Sequence, residues 1–485
     1  MTFISPTFLF LFLPVFLLVY RLIRPDMHGL VLLVASLVFI AFQGEVYAAF
    51  YIGFLLVNYG LGRWLQRGRA ADNSRHWLLA LSVGLNALLL IAFKLLVQSK
   101  TQLIAWNAND LYGLNRWISA FALPVGFSYT AFQMMAYHID IANEITDSEP
   151  NLLHFANFTL MFPKMLSGPI ERYRDIGPEL ANPTASIDQT ADGLRRFITG
   201  LAKKVLIADV IGKAIGPVFA LGAPNIGAAY AWIALVGFAV QLYFDFSGYA
   251  DMAIGLGQTM GFTLAENFNY PYIAASVSEF WRRWHITLSG WFRDYVFLPI
   301  EIAQRHKRRI PQQANILLIF LLTGLWHGFT LNFLIWGAIF ALAMILESAG
   351  AGKWFKKLWP PLRHIWTLGW VLAAWVFFRS PDLTYALKFF RALLGLGPTQ
   401  AYPFSQLIPL GLIDNSTWLA LALGLVFSLP LIPTIRRWLD KRLEGQPRGL
   451  AVRAVLRDIL LVLLLVASVA MIASAGFTPG VYESF

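Results

Sequence analysis

The sequence predicts an all-α, polytopic integral membrane protein, and three observations carry that expectation. Hydrophobic residues make up 58% of the 485-residue chain and charged residues only 13%, against roughly 45–50% and about 25% in an ordinary soluble domain. A soluble chain of this length has to cover its surface with charge, and this one lacks it. The apolar residues also fall into runs long enough for membrane helices. Aromatic residues reach 15%, with 17 Trp, and such rings gather where membrane meets water.

A helix needs about 20 apolar residues to cross the hydrocarbon core. Candidate crossings lie near 7–22, 29–43, 46–62, 77–97, 118–141, 151–167, 203–221, 228–256, 313–328, 331–348, 365–378, 415–434 and 457–475. Some are short or carry polar groups, so about 11–14 membrane helices are expected. The first run has Arg21 and Arg24 after it rather than a basic stretch before it, and no small-residue cleavage site follows. It is expected to stay as a span rather than leave as a secretory signal. The stretches 272–300 and 384–412 are apolar but interrupted by Pro, Arg or Glu. They are predicted to be re-entrant or interfacial helices, which exist only where protein or water covers their backbone.

Four basic clusters set the orientation: Arg63 to Arg75, Arg305 to Arg309, Lys353 to Arg363 and Arg436 to Arg457. Basic residues in short loops stay cytoplasmic, so both termini are expected on the outer face of the membrane. The candidate crossings leave the first and second clusters on opposite sides. At least one segment between 76 and 304 is therefore re-entrant or is not a crossing. On this reading the net charge of +11 reflects topology, and no nucleic-acid partner is expected. Cysteine is absent, which excludes disulfides, a cysteine nucleophile and thiolate metal sites. No internal repeat is visible. Residues 1–485 are expected to form a single membrane domain, with a short polar insert near 170–200 and its motifs concentrated in about 120–350.

In so apolar a chain, polar residues within apolar runs mark candidate sites. The first cluster is Gln241-Leu-Tyr-Phe-Asp-Phe-Ser-Gly-Tyr-Ala-Asp251, in which Tyr243 and Asp245 are candidate substrate-binding residues. On a helix Asp245 shares a face with Tyr249, and Ser247 with Asp251. The alternative is that these carboxylates cap a broken helix or pair with Arg. The second is Ser278-Glu-Phe-Trp-Arg-Arg-Trp-His-Ile-Thr-Leu-Ser-Gly-Trp-Phe-Arg-Asp-Tyr295. Helical spacing predicts Trp281, His285 and Ser289 on one face, with Arg293 a turn further. Trp284, Ser289 and Arg293 are candidates for an anionic or sugar group, because Arg and Trp together stack on and bind such groups. The alternative is an interfacial aromatic belt. The third is Leu322-Thr-Gly-Leu-Trp-His-Gly328 with Asn332 and Trp336. A charged imidazolium is unfavourable between two apolar spans, so His327 is expected neutral and able to accept a proton. A structural buried His remains the alternative. Gly324 and Gly328 permit close approach by backbone or substrate. The sequence holds no spaced metal-ligand set, no phosphate loop and no serine-hydrolase elbow.

Taken in order, these three clusters resemble the membrane-bound O-acyltransferase family. Further matches are Leu123-Pro124 with Gly126 and Ser128, Phe162-Pro163, Ser167-Gly168-Pro169, Glu266-Asn267-Phe268 and Phe10-Leu-Phe-Leu-Pro14. The resemblance covers nearly the whole chain. It looks closest to the bacterial branch that acetylates alginate or cellulose or transfers D-alanine to teichoic acid. It implies that His327, in Trp326-His327-Gly328, and His285 are catalytic, and that Trp326 and Asn332 lie at the substrate. It also implies a ring of tilted helices around a central funnel and tunnel. No bound cofactor is implied. The acyl donor is a co-substrate, acetyl-CoA or a carrier-protein phosphopantetheine thioester. Implied partners are an acyl carrier protein on the cytoplasmic side, periplasmic acyltransferase or relay proteins of a polysaccharide export complex, and membrane lipid.

The function implied is transfer of an acyl group, acetyl first, across the membrane for an exopolysaccharide. In that chemistry His327 takes a proton from the acceptor hydroxyl as it attacks a thioester, and His285 or a nearby amide supports the oxyanion. D-alanyl transfer is the alternative within the family. The loop Glu301-Ile-Ala-Gln-Arg-His-Lys-Arg-Arg309 resembles that branch and offers a docking surface for a carrier. An alternative of another class is a transporter or channel with a His327/Asp245 relay.

Overall fold

The computed structural model describes residues 1–68, 72–107, 115, 118–119, 122–220, 226–304, 311–351, 357–397 and 413–475. The basic loop 305–309, Arg69, and Lys353 and Lys356 lie outside the described residues. The described residues are mostly helical, with no strand among them beyond an isolated antiparallel bridge between Phe268 and Trp284. Among the described residues four helices are long and apolar enough to cross a membrane: Arg75–Gln98, Ala228–Thr259, Leu331–Ala349 and Pro447–Ser474. Asn415–Phe427 and Leu431–Arg442 qualify together but bend by 60° at their break. Phe8–Leu22 and Pro25–Ala41 are shorter apolar helices.

Two segments expected as single crossings are not. The run 151–167 breaks into Leu152–Leu160 and Phe162–Met165, because Met161 precedes the pair Phe162-Pro163 and turns out of helical geometry where Pro163 has no N–H to continue the ladder. In 118–141, the described helix begins at Phe127. Gly126 ahead of it has φ +71, and a β-carbon there would lie 1.8 Å from the Met165 carbonyl oxygen. Only glycine fits. The stretch 272–300 is broken as expected, into Val277–Trp281, Ile286–Phe292, a π-turn Arg293–Phe297 and Leu298–Ala303.

The chain divides into two compact units. The first, Met1–Leu194 with Met252–Ala265, packs Phe8, Phe12, Phe39 and Phe162 ring on ring. Its buried polar groups are joined. Asn86 donates to Asn58 at 2.8 Å, His138 Nε2 lies 3.1 Å from the Asn58 carbonyl oxygen, and Lys164 reaches Gln133 at 2.9 Å and the Phe158 carbonyl.

The second unit, Arg195–Asp251 with Glu266–Phe485, holds all three motif clusters. Its part of the helix Ala228–Thr259, up to Asp251, carries Asp245 and Asp251 one on each side of Gly248. The segment Lys203–Asp209 forms a π-turn, and its two consecutive lysines reach different carboxylates of that helix. Lys203 meets Asp251 at 2.6 Å, and Lys204 meets Asp245 at 2.7 Å and Asp209 at 2.5 Å. Arg196 bridges Asp251 at 2.9 Å and Glu266 at 2.6 Å. Buried charges persist only when paired, and here they tie the helix to its neighbours. The helices Gln312–His327 and Leu331–Leu346 form a tight hairpin. A β-carbon on Gly324 would lie 2.4 Å from the Phe333 carbonyl oxygen, and one on Gly337 2.2 Å from that of Phe320.

Candidate active site

The site is built on two short backbone features of the second unit. The first is the turn that carries His285. The face expected to align Trp281, His285 and Ser289 does not exist, because the helix Val277–Trp281 ends and His285 takes a left-handed conformation, φ 44 and ψ 55, before Ile286–Phe292 begins. The cause is tertiary. The extended segment around Asn267 pairs with this turn, with Asn269 N donating to the Arg283 carbonyl at 2.9 Å and Ile286 N to the Asn267 carbonyl at 3.0 Å. A left-handed backbone is unusual for a residue other than glycine, and it points the imidazole at Asn267 rather than along a helix face.

Asn267 then orients the ring. Its Oδ1 accepts from Thr287 N at 3.2 Å and Thr287 Oγ1 at 3.0 Å, and lies 3.1 Å from His285 Nδ1. A backbone N–H can only donate, so the Asn267 atom facing it is the oxygen, and His285 Nδ1 carries the proton that completes this bond. A neutral His285 therefore presents its lone pair at Nε2. Phe246 closes the ring from the side, edge-on at 4.7 Å.

The second feature is the hairpin end. His327 is the last residue of its helix and is 6% exposed. Its imidazole sits among rings: Trp326 at 4.7 Å, Trp336 at 4.9 Å and Phe378 at 5.1 Å edge-on, with Phe333 stacked at 5.8 Å. Asn332 donates to the Ser380 carbonyl at 2.8 Å, which anchors the hairpin to the end of Pro360–Arg379. Trp326 stands between the two histidines, with its ring 6.2 Å from His285 and 4.7 Å from His327.

The other candidates lie in different settings. Tyr243 and Trp284 belong to an aromatic cluster with Phe268 and Tyr272. Asp245 and Tyr249 do share a helix face, and both face Lys204, whose Nζ is 5.8 Å from the Tyr249 ring. Asp251 is paired with Lys203 and Arg196, so an ion pair is what the sequence left open for it. Ser289 Oγ turns back to the Trp284 carbonyl at 3.4 Å, and Arg293 is exposed and pairs with Asp294 at 2.7 Å. Glycines 324 and 328 admit protein: Phe333 fills the space beside both.

The residue least visible in the sequence is Asn267. It appears there only within the Glu266-Asn267-Phe268 match, and nothing in its spacing connects it to His285, 18 residues away. Trp336 is similar. Its indole nitrogen is buried, and among the described residues no acceptor engages it.

Several apolar helices long enough to span a membrane, together with a ring-walled site holding two buried histidines, define a multi-pass membrane protein. The profile of the membrane-bound O-acyltransferase family matches residues 142–380, which contain every residue of that site. A probable alginate O-acetylase of Pseudomonas putida is 35% identical, with both chains covered in full. The peptidoglycan O-acetyltransferase of Helicobacter pylori is 32% identical over 81% of this chain and 79% of its own, and the teichoic acid D-alanyltransferase of Bacillus subtilis 32% over 50% and 63%. The chain belongs to the membrane-bound O-acyltransferase family and is an O-acyltransferase. That membership displaces the transporter alternative.

Proposed function

We propose that this protein O-acetylates an exopolysaccharide, taking the acetyl group from a cytoplasmic thioester, acetyl-CoA or an acyl carrier. The observation that carries the chemistry is the convergence of His285 and His327 on Trp326. Similarity along its full length to an alginate O-acetylase supports acetyl as the group and alginate- or cellulose-type polymer as the acceptor.

In this mechanism the acceptor oxygen attacks the thioester carbonyl and its proton passes to neutral His327. The new C–O bond forms, the C–S bond breaks, and the leaving thiolate takes the proton back from His327. Cysteine is absent, so no cysteine acyl-enzyme intervenes. His285, with Nδ1–H committed to Asn267, accepts at Nε2 and orients the incoming hydroxyl. In the neutral state it is no donor to the oxyanion, a role that suits the Trp336 indole N–H beside His327. Tyr243, Asp245, Trp284, Ser289, Arg293 and Asn332 then shape or stabilise the walls around these groups.

The same reading places the chain in a bacterial inner membrane with about 11–14 crossings, in the ring and tunnel that the family resemblance implies. Both termini are then periplasmic, as the basic clusters require when an odd number of the candidate segments between 76 and 304 are not crossings. Periplasmic acyltransferase or relay proteins receive the product. D-alanyl transfer is the second reading, favoured by the Bacillus subtilis relative but over half of the chain only.

The test is His327→Ala in the chromosome of the source bacterium. Polymer acetylation should vanish while membrane abundance is unchanged; full acetylation with a properly inserted variant refutes the assignment. Released acetate or D-alanine on mild alkaline treatment of the polymer separates the two readings.

A further inference from the structure

The helix Leu431–Arg442 takes no part in the site. None of its residues is buried. It follows the apolar helix Asn415–Phe427 at a 60° bend, and it precedes the spanning helix Pro447–Ser474. A twelve-residue helix between two membrane segments, turned this far from the first and with no buried residue, fits an in-plane position at the membrane surface. Its side chains divide accordingly. Leu431, Ile432, Ile435, Trp438 and Leu439 fall on one helical arc by their spacing, and Leu431, Ile432, Ile435 and Trp438 are exposed. Arg436, Arg437 and Lys441 occupy the rest. Arg442 falls on the apolar arc one turn after Trp438, at the helix end, and its guanidinium lies over the Trp438 ring at 5.2 Å.

The charge of this surface is one-sided. Between 431 and 458 stand Arg436, Arg437, Lys441, Arg442, Arg448, Arg453 and Arg457, against Asp440, Glu444 and Asp458, the last of which pairs with Arg457 and Arg195. Asp440 is engaged by Arg436 and Arg453. Among the described residues, Arg437, Lys441, Arg442 and Arg448 enter no ion pair with a carboxylate. An apolar arc with Arg437 and Lys441 opposite it, and Arg442 at the helix end where a long side chain reaches out to the headgroups, is what an in-plane helix needs to bind an anionic bilayer.

We infer that Leu431–Arg442 is an in-plane clamp for anionic phospholipid headgroups, with Arg437, Lys441 and Arg442 as the phosphate-binding side chains and Trp438 as its interfacial anchor. Headgroups bound there hold the last spanning helix at its basic entrance. An acidic protein is the competing occupant. Charge alone admits both, but the apolar arc at bilayer depth favours lipid.

The test uses the full-length protein in vesicles of phosphatidylcholine alone or mixed with phosphatidylglycerol. Because the chain has no cysteine, Ile435→Cys gives a single attachment point for an environment-sensitive dye. Three results are expected. The dye is quenched by brominated acyl chains. Phosphatidylglycerol is retained through detergent purification. Retention falls roughly ten-fold or more in the Arg437→Gln/Lys441→Gln/Arg442→Gln variant, since each basic residue near an anionic surface contributes on the order of five-fold. High salt should weaken the native chain in the same direction. Equal phosphatidylglycerol retention by the native chain and the triple variant overturns the inference. So does a dye that brominated lipid leaves untouched while an acidic carrier protein shields it. Unchanged acyl transfer in neutral vesicles shows that the variant is folded.

Discussion

His285 and His327 reach one site by opposite means. His285 is held by polar geometry: a left-handed backbone, a paired extended segment and the Asn267 oxygen that fixes its tautomer. His327 is held by shape, at a helix end enclosed by Trp326, Phe333, Trp336 and Phe378. A ring cage excludes water without specifying a proton; an amide specifies the proton but needs a neighbouring segment to carry it. In the proposed mechanism proton transfer falls to His327 and orientation to His285.

Breaking the His327 side should have the largest effect. His327→Ala is expected to lower acyl transfer by about 10²–10⁴, the usual contribution of a positioned general base, measured with purified protein and a soluble acceptor. Trp336→Phe comes next, because it keeps the ring against His327 and deletes only the indole N–H. Loss of an oxyanion donor lowers kcat by about 10²–10³; an unchanged kcat removes Trp336 from that role and leaves it as a wall of the cage. On the other side, Asn267→Ala should lower kcat by roughly 10–100, as removal of a residue that orients another does. Its signature is a changed pH profile, since His285 is then free to take either tautomer. A fall in expression with an unaltered profile instead makes Asn267 purely structural. The smallest effect is on stability. Gly324→Ala pushes a methyl toward the Phe333 carbonyl oxygen and should cost about 1–3 kcal/mol, seen as a lower melting temperature in detergent with the two histidines still in place.

Much of this was legible in the residues. The apolar runs became helices close to their expected bounds, as at Glu45–Arg67, Ala228–Thr259 and Leu331–Leu346, since hydrophobic length is a local property. Trp326-His327-Gly328 was legible for the same reason: an ionisable residue inside an apolar hairpin stands out wherever it folds. The second cluster was not. Its spacing described one continuous helix, and pairing with residues 266–270 broke it at His285. The break in 151–167 was legible in hindsight through Pro163, yet hydropathy averages over such a residue. For Arg293 and Ser289, residue type suggested a binding face, while the fold turned one toward Asp294 at the surface and the other back onto its own chain.

The sequence by itself determined that this is a multi-pass membrane protein of all-α class, which family it resembles, and that His285 and His327 are its candidate catalytic pair. Composition and hydrophobic run length decide membrane residence, because burying backbone in lipid demands helices, and motif order carries the resemblance. The tertiary structure decided that Trp326 joins the two histidines, that Asn267 sets the proton on His285, and that Lys203, Lys204 and Arg196 neutralise Asp245 and Asp251. Each of these depends on groups far apart in the chain, and a hydrogen bond or ion pair of about 3 Å has no counterpart in local spacing.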